Sequence, residues 1–315
     1  MTNEITVREA ATKQETAFFW EQLHAYFMRD MFPESDCEER EYFSDDSKYR
    51  AQIEMIRQRE RDRCYYLLIS RNGKDIGLAL PVIYRTEDEK CFLNEFCVFP
   101  EFRGNGTGTE CAKTFLAWAK AMGAAYIEIN CDKALRQRFW KRLGFKMNGA
   151  DEWGMPLMLL PPEEYQPVHV EILGVGKDWQ LKKLENGYLS EIGVDILTEE
   201  KQESLAKAVC EGRITFFFAK RGYRAVGMCS VVTTFSTFAC SDVGILENFY
   251  IEPVFRGQGI ARMLMEAAQK WCRKNLIKRL SVTCAPCDEK MCRSLGFNAL
   301  LGNTYAYLTE REPDI

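Results

Sequence analysis

Apolar residues along the chain recur with two periods, one helical and one extended, and the order of those periods occurs twice. Residues 15–31 place Phe18, Phe19, Leu23, Tyr26 and Phe27 at helical spacing, which predicts an amphipathic helix. Residues 38–63 form a longer, charge-rich helical region carrying Tyr42, Ile53 and Ile56. Two β-prone runs follow, CYYLLIS from Cys64 and IGLALPVIY from Ile76, on either side of Arg71-Asn72-Gly73-Lys74. An Asn-Gly pair between such runs predicts a hairpin. A strand over 91–99 then leads through a Gly-rich turn into a helix over 107–122. The strand AYIEINC, a short helix over 133–143, a Gly144-Phe145 stop and a strand over 155–160 complete the series.

Pro161, Pro162 and Pro167 mark a joint that the interior of neither helix nor sheet tolerates. The joint divides the chain into expected domains of residues 1–162 and 168–315. Beyond it the series starts again, with helices over 177–190 and 198–211. The strands ITFFFAK and RAVGMCSVV follow around Arg221-Gly222. The strand-turn-helix stretch LENFYIEPVFRGQGIA occupies 246–261, and its helix runs to about Asn275. RLSVTCAP, a short helix to Leu295, Gly296-Phe297 and a last strand over 304–308 close the second series.

The two series share one register. Arg256 stands 153 positions after Arg103, and the pairs Pro253 and Pro100, Trp271 and Trp118, and Cys284 and Cys131 keep the same offset. Two unrelated Gly-rich turns would not carry a downstream Trp, strand and Gly-Phe with them. The pattern is an internal duplication of a whole domain, far longer than a solenoid repeat.

At the centre of each copy a strand ends at a proline and feeds Arg-Gly-X-Gly, which opens a helix. Bare backbone N–H groups at a helix N-terminus suit an anion, so phosphate is the first ligand class to consider. A dinucleotide fold fits poorly, because the glycine spacing differs and no βαβ unit precedes the turn. The net charge is −4 over 315 residues and spreads over both halves, so no basic face for nucleic acid is expected. With 46% apolar and 28% charged residues, the composition is that of a soluble globular protein. The thirteen cysteines follow no disulfide spacing, and most lie in apolar runs (Cys64, Cys97, Cys229, Cys272) as small hydrophobes. Cys284 and Cys287 form one CxxC without a partner pair or a nearby histidine, so no metal is expected. No signal peptide or membrane span is expected either, which reads as a cytoplasmic protein.

The motif R-x-x-G-x-G/A after a strand ending in Pro, with the later strand, helix and Gly-Phe, resembles the acetyl-CoA-binding motif of the GNAT superfamily of N-acetyltransferases. RGQGIA and RGNGTG both fit, and LENFYIEPVFRGQGIA is especially similar to the corresponding stretch of diamine acetyltransferases. The resemblance implies an α/β (α+β) fold of two tandem GNAT-type domains, each a mixed, mostly antiparallel sheet flanked by helices. It implies acetyl-CoA as cosubstrate, a small-molecule amine as acceptor, and a monomer or homodimer. Downstream, the pantetheine arm would lie along Phe249, Tyr250 and Ile251. The pyrophosphate would sit over Arg256, Gly257, Gln258, Gly259, Ile260, Ala261 and Arg262. Upstream, the matching positions are Val98, Arg103, Gly104, Asn105, Gly106, Thr107 and Gly108.

Acetyl transfer to an amine needs a proton acceptor, an oxyanion donor and a proton for the thiolate. The two histidines, His24 and His169, lie outside every motif. Glu247 occupies the position of the glutamate proposed as base in diamine acetyltransferases. The tyrosine that serves many family members as acid, within Phe-Tyr-x-x-x-Gly-Phe, is replaced by Trp140 upstream and Cys292 downstream. Cys292 is the remaining proton donor by position, and a buried structural thiol is its alternative. Upstream, Asn94 aligns with Glu247 and Glu95 with Asn248, and strand alternation turns Glu95 to the opposite face. The expectation is a catalytic downstream domain and a degenerate upstream partner that retains a CoA site. The competing class is a tandem acyl-CoA-binding module without catalysis. Asp36, Glu38, Phe43 and Asp45 fall in the region that shapes the acceptor pocket in the family; a polyamine preference would follow if their charges face it.

Overall fold

The computed structural model describes residues 4–32, 41–43, 48–151, 153–174, 178–284 and 288–302. The expected strand over 304–308, together with Asp36, Glu38, Asp45 and Cys287, lies outside the described residues. The chain forms two compact units, Met1–Lys146 with Leu157–Glu163, and Met147–Pro156 with Glu164–Ile315.

Unit 1 opens with a short edge strand, β1 (Ile5–Glu9), and the helix α1 (Lys13–Tyr26). Thr12 and Glu15 form a reciprocal cap, with Glu15 N–H on Thr12 Oγ1 at 3.1 Å and Thr12 N–H on Glu15 Oε2 at 3.0 Å. That pair fixes the first turn of the helix. A π-helical turn, Phe27–Met31, prolongs α1, and α2 (Lys48–Arg57) follows. The strands are β2 (Arg63–Cys64), β3 (Leu67–Arg71), β4 (Lys74–Tyr84) and β5 (Lys90–Val98). Arg71 pairs with Lys74 across Asn72 and Gly73, both at positive φ, so the Asn-Gly hairpin forms as the sequence predicts. The helix α3 (Thr107–Ala121), β6 (Tyr126–Asn130) and α4 (Ala134–Arg142) come next. A strand unforeseen from the sequence, β7 (Lys146–Ala150), precedes β8 (Pro156–Leu160). The sheet of unit 1 runs β1-β3-β4-β5-β6-β8, with β2 beside β4. Only the β5–β6 pairing in this order is parallel. Phe19, Trp20, Leu23 and Phe27 of the first helix pack on Tyr66, Leu68, Leu78, Leu80 and Cys97 to form one core.

Unit 2 repeats the plan. It contains β9 (Val168–Ile172), α5 (Asp178–Ile192), α6 (Glu199–Cys210), β10 (Ile214–Arg221), β11 (Arg224–Ser236) and β12 (Ser241–Ile251). The helix α7 (Ile260–Lys274), β13 (Leu280–Val282) and α8 (Glu289–Ser294) follow. Thr198 caps α6 through Lys201 N–H at 3.3 Å. The sheet order is β13-β12-β11-β10-β9, again with a single parallel pairing, β12 to β13. At the end of β12, Arg224 and Lys183 hold Glu252 at 2.8–2.9 Å, all three nearly or fully buried. Tyr250 is buried on two glycines: a Cβ at Gly187 would stand 2.8 Å from Tyr250 Oη, and one at Gly149 would stand 2.7 Å from it. Neighbouring Asn148 accepts Val254 N–H at 3.2 Å. Eleven cysteines among the described residues are free thiols. No helix among the described residues is long and apolar enough to cross a membrane.

Candidate active site

The site in each unit begins where the parallel pairing ends. In unit 1 the register of β5 on β6 stops at Phe92 with Glu128. In unit 2 that of β12 on β13 stops at Leu246 with Val282. Residues 93–98 and 247–251 thus carry no ladder toward the parallel neighbour, and each sheet opens as a wedge beside main chain that an extended ligand arm can pair with. A bulge marks the same place in both units. The register slips between Leu80 and Pro81 opposite Asn94, and between Met228 and Ser230 opposite Asn248, whose φ is 50°.

Beyond each wedge the chain makes a Pro-initiated 3-10 turn, Pro100–Phe102 or Pro253–Phe255, and then the Gly-rich turn. Gly104, Asn105 and Gly106 have φ of 95°, 48° and 81° in unit 1; Gly257 and Gly259 have 75° and 81° in unit 2. No atom stands within 4 Å of where a Cβ would sit on any of these four glycines. Gly106 and Gly259 cap α3 and α7 without a side-chain bond, so first-turn N–H groups face an open cradle. A pyrophosphate fits this arrangement: small residues, helix-start N–H groups and a helix dipole. Thr107 and Ile260 are buried beneath it, while Gln258 and Arg262 are exposed. Gly108 packs toward the ring of Phe139. The first turn of α3 carries Glu110, paired with Arg71 at 2.6 Å, whereas that of α7 has no acidic residue.

The motif arginines turn back toward the protein. Arg103 Nε donates to Val98 O at 2.8 Å, and its guanidinium grips both oxygens of Asp30 at 2.6 and 3.1 Å. That grip holds the Asp30 carboxyl down at about 2. Arg256 Nε likewise donates to Ile251 O at 2.8 Å, and its guanidinium pairs with Glu191. In both copies the arginine ties the end of the open strand to the end of the first helix. Gln258 is held by Arg221 at 2.6 Å.

The carboxylates differ most between the copies. Glu247 is exposed. Its neighbour Asn248 donates to Glu185 of α5 at 2.8 Å, and burial pushes Glu185 up to about 7 against that bond, with the Glu247 charge adding to the rise. Upstream, the counterpart of Asn248 is Glu95. Tyr49 Oη donates to Glu95 Oε1 at 3.4 Å. Removal from water pushes Glu95 up to about 8, although the Tyr49 bond and the Arg136 charge both pull it down. The Tyr49 phenol is itself held well above its usual range by burial and by the Glu95 charge, so it keeps its proton. Cys292 is buried, and its thiol is pushed up to about 11 by burial and by the Cys284 thiol beside it. Trp140 is a core residue, packed edge-on against Phe96, Phe139 and Phe145. Tyr49 and Glu185 were not singled out from the sequence; each lies on an outer helix whose contact with the bulged strand has no local signature. The offset alignment of Glu95 with Asn248 was the available pointer to the first of them.

The chain matches the acetyltransferase (GNAT) family over residues 20–145 and again over 179–297, and it belongs to that family. It holds two copies of the family domain, and members use acetyl-CoA. It is similar in part to several solved structures. One is a probable acetyltransferase, 21% identical over 46% of this chain and 99% of the other, at a TM-score of 0.43. Another is an aminoglycoside acetyltransferase from an uncultured soil metagenomic sample in complex with sisomicin (15%, covering 46% and 97%, TM-score 0.42). A third is a predicted acetyltransferase with acetyl-CoA from Clostridium acetobutylicum (14%, covering 46% and 99%, TM-score 0.41). No curated protein sequence matches the chain.

Proposed function

We propose that the protein is an acetyl-CoA-dependent N-acetyltransferase acting on a primary amine of a small molecule, with Glu95 of unit 1 as the proton acceptor. One observation carries this reading: a half-buried carboxylate with a raised proton affinity stands beside the bulge of the open strand that leads to the phosphate cradle. A base with a pKa near the working pH is the efficient kind. Bound acetyl-CoA would supply the acetyl group as a thioester. Residues 104–108 would hold its pyrophosphate, and the open edge around residues 96–98 would hold its arm. Glu95 takes the proton from the amine nitrogen as that nitrogen becomes nucleophilic. Tyr49, fixed on Glu95 Oε1, orients the carboxylate and is a protonated group beside the reacting atoms. Main-chain N–H groups of the open strand would face the developing oxyanion.

Glu247 supports a downstream centre less well, because it stands exposed to solvent. The buried Glu185 on Asn248 favours a second reading, in which unit 2 carries a centre of its own with Glu185 behind Glu247. CoA release measured over an amine panel, with Glu95→Gln and Glu247→Gln side by side, separates these assignments. A loss of about 100-fold or more in Glu95→Gln alone supports unit 1. The same loss in Glu247→Gln alone transfers the role downstream. CoA binding without turnover on any amine overturns the enzyme reading in favour of a binding module.

A further inference from the structure

Among the described residues, the side chain bonded to Glu95 is a ring, that of Tyr49. The face of unit 1 that reaches it is built of rings, of which Trp20 and Phe27 are buried and Phe32, Tyr42, Phe43 and Tyr49 are half-buried. Tyr49, the ring bonded to the carboxylate, has its centroid 4.7 Å from that of Phe43 and 5.6 Å from that of Phe27. Phe43 in turn lies 4.9 Å from both Phe27 and Phe32 and stacks on the latter at 19°. Among the described residues, the charge that acts on Glu95 is that of Arg136, a cation. The nearby Asp30 carboxylate is committed to Arg103 and Arg29.

We propose that the acceptor site of unit 1 takes a primary amine carried on an aromatic or compact apolar body, with its nitrogen at Glu95 and its body against Phe32, Phe43 and Tyr49. The proposal rests on the reading of Glu95 as the acceptor-side carboxylate. Half-buried rings provide apolar area for the body of such a ligand to cover. The same rings attract the ammonium form on approach through their faces.

Direct binding tests this apart from turnover. The full chain, saturated with CoA, is titrated with phenethylamine and n-propylamine by calorimetry or ligand-observed NMR. Phenethylamine is expected to bind at least tenfold more tightly than n-propylamine. Phe43→Ala is expected to weaken phenethylamine about tenfold and leave n-propylamine unchanged. Phe43→Leu keeps an apolar side chain of similar reach as a control for folding, and it retains most of the affinity. n-Propylamine binding as tightly as phenethylamine, or phenethylamine affinity unmoved in Phe43→Ala, overturns the proposal. Failure of every amine to be acetylated overturns the enzyme reading instead, while the titration still decides what the wall accepts.

Discussion

The sharpest consequence of a carboxylate with raised proton affinity is a pH profile. With its pKa at about 8, Glu95 is ionised in about 9% of free enzyme molecules at pH 7 and about 91% at pH 9. The kcat/KM of a reaction that needs the carboxylate therefore rises about tenfold across that interval. The substrate's own ionisation would produce a similar rise, so the assay uses a weakly basic amine such as trifluoroethylamine, neutral throughout. Glu95→Gln should be slow and flat with pH. Tyr49→Phe removes a bond that lowers the Glu95 pKa, so the break in its profile should move upward while turnover at high pH largely persists. Arg136→Gln removes the other lowering influence and should move the break in the same direction. A wild-type profile flat from pH 7 to 9 with the neutral amine, or a break that survives in Glu95→Gln, refutes the assignment.

The same shift sets a slope in stability. The folded carboxyl keeps its proton to about pH 8 and the unfolded one releases it near 4.5, so folding stability falls as pH rises between those values; Glu95→Gln should remove that slope in urea melts. Glu252→Gln weakens the charge pairing of the buried Arg224 and Lys183, and loss of such a pair costs about 3–5 kcal/mol. That loss should appear as an early unfolding transition of unit 2 by tryptophan fluorescence. Gly187→Ala drives a methyl to 2.8 Å from Tyr250 Oη and should cost about 1–3 kcal/mol, with Tyr250→Leu in the same chain recovering most of it. Gly106→Ala and Gly259→Ala each force a side chain into a left-handed φ of 81° at a cost of about 1–2 kcal/mol and place a methyl in the cradle. In a calorimetric titration with CoA, a chain that binds two equivalents should lose one with either substitution and both with the pair.

The strongly periodic elements were legible in the sequence. The helix of residues 260–274 starts where the Gly-rich turn predicts, the Asn72-Gly73 hairpin closes as its residues require, and the buried cysteines follow from their apolar surroundings. What escaped was short or set by distant partners. The strands β1 and β9 are each five residues long at a sheet edge, so although VHVEI alternates strictly over 168–172, the run is short enough to pass for the linker after the prolines. The strand β7 contains Gly149 at positive φ, which a sequence pattern reads as a turn. The two bulges were invisible as well, since a one-residue slip in register leaves composition untouched. The sequence alignment pairs Glu95 with Asn248, but it says nothing of Tyr49 closing over one and Glu185 bonding the other.

The arginine that turns back in each copy has a further meaning for a duplicated chain. Upstream it closes on an aspartate in the π-helical turn, Asp30; downstream it closes on a glutamate of α5, Glu191, one methylene longer. The same arginine is thus fastened to a different carboxylate at each first helix. The two domains have ceased to be interchangeable parts. A chimera that moves one first helix into the other copy exchanges an aspartate for a glutamate at the clasp.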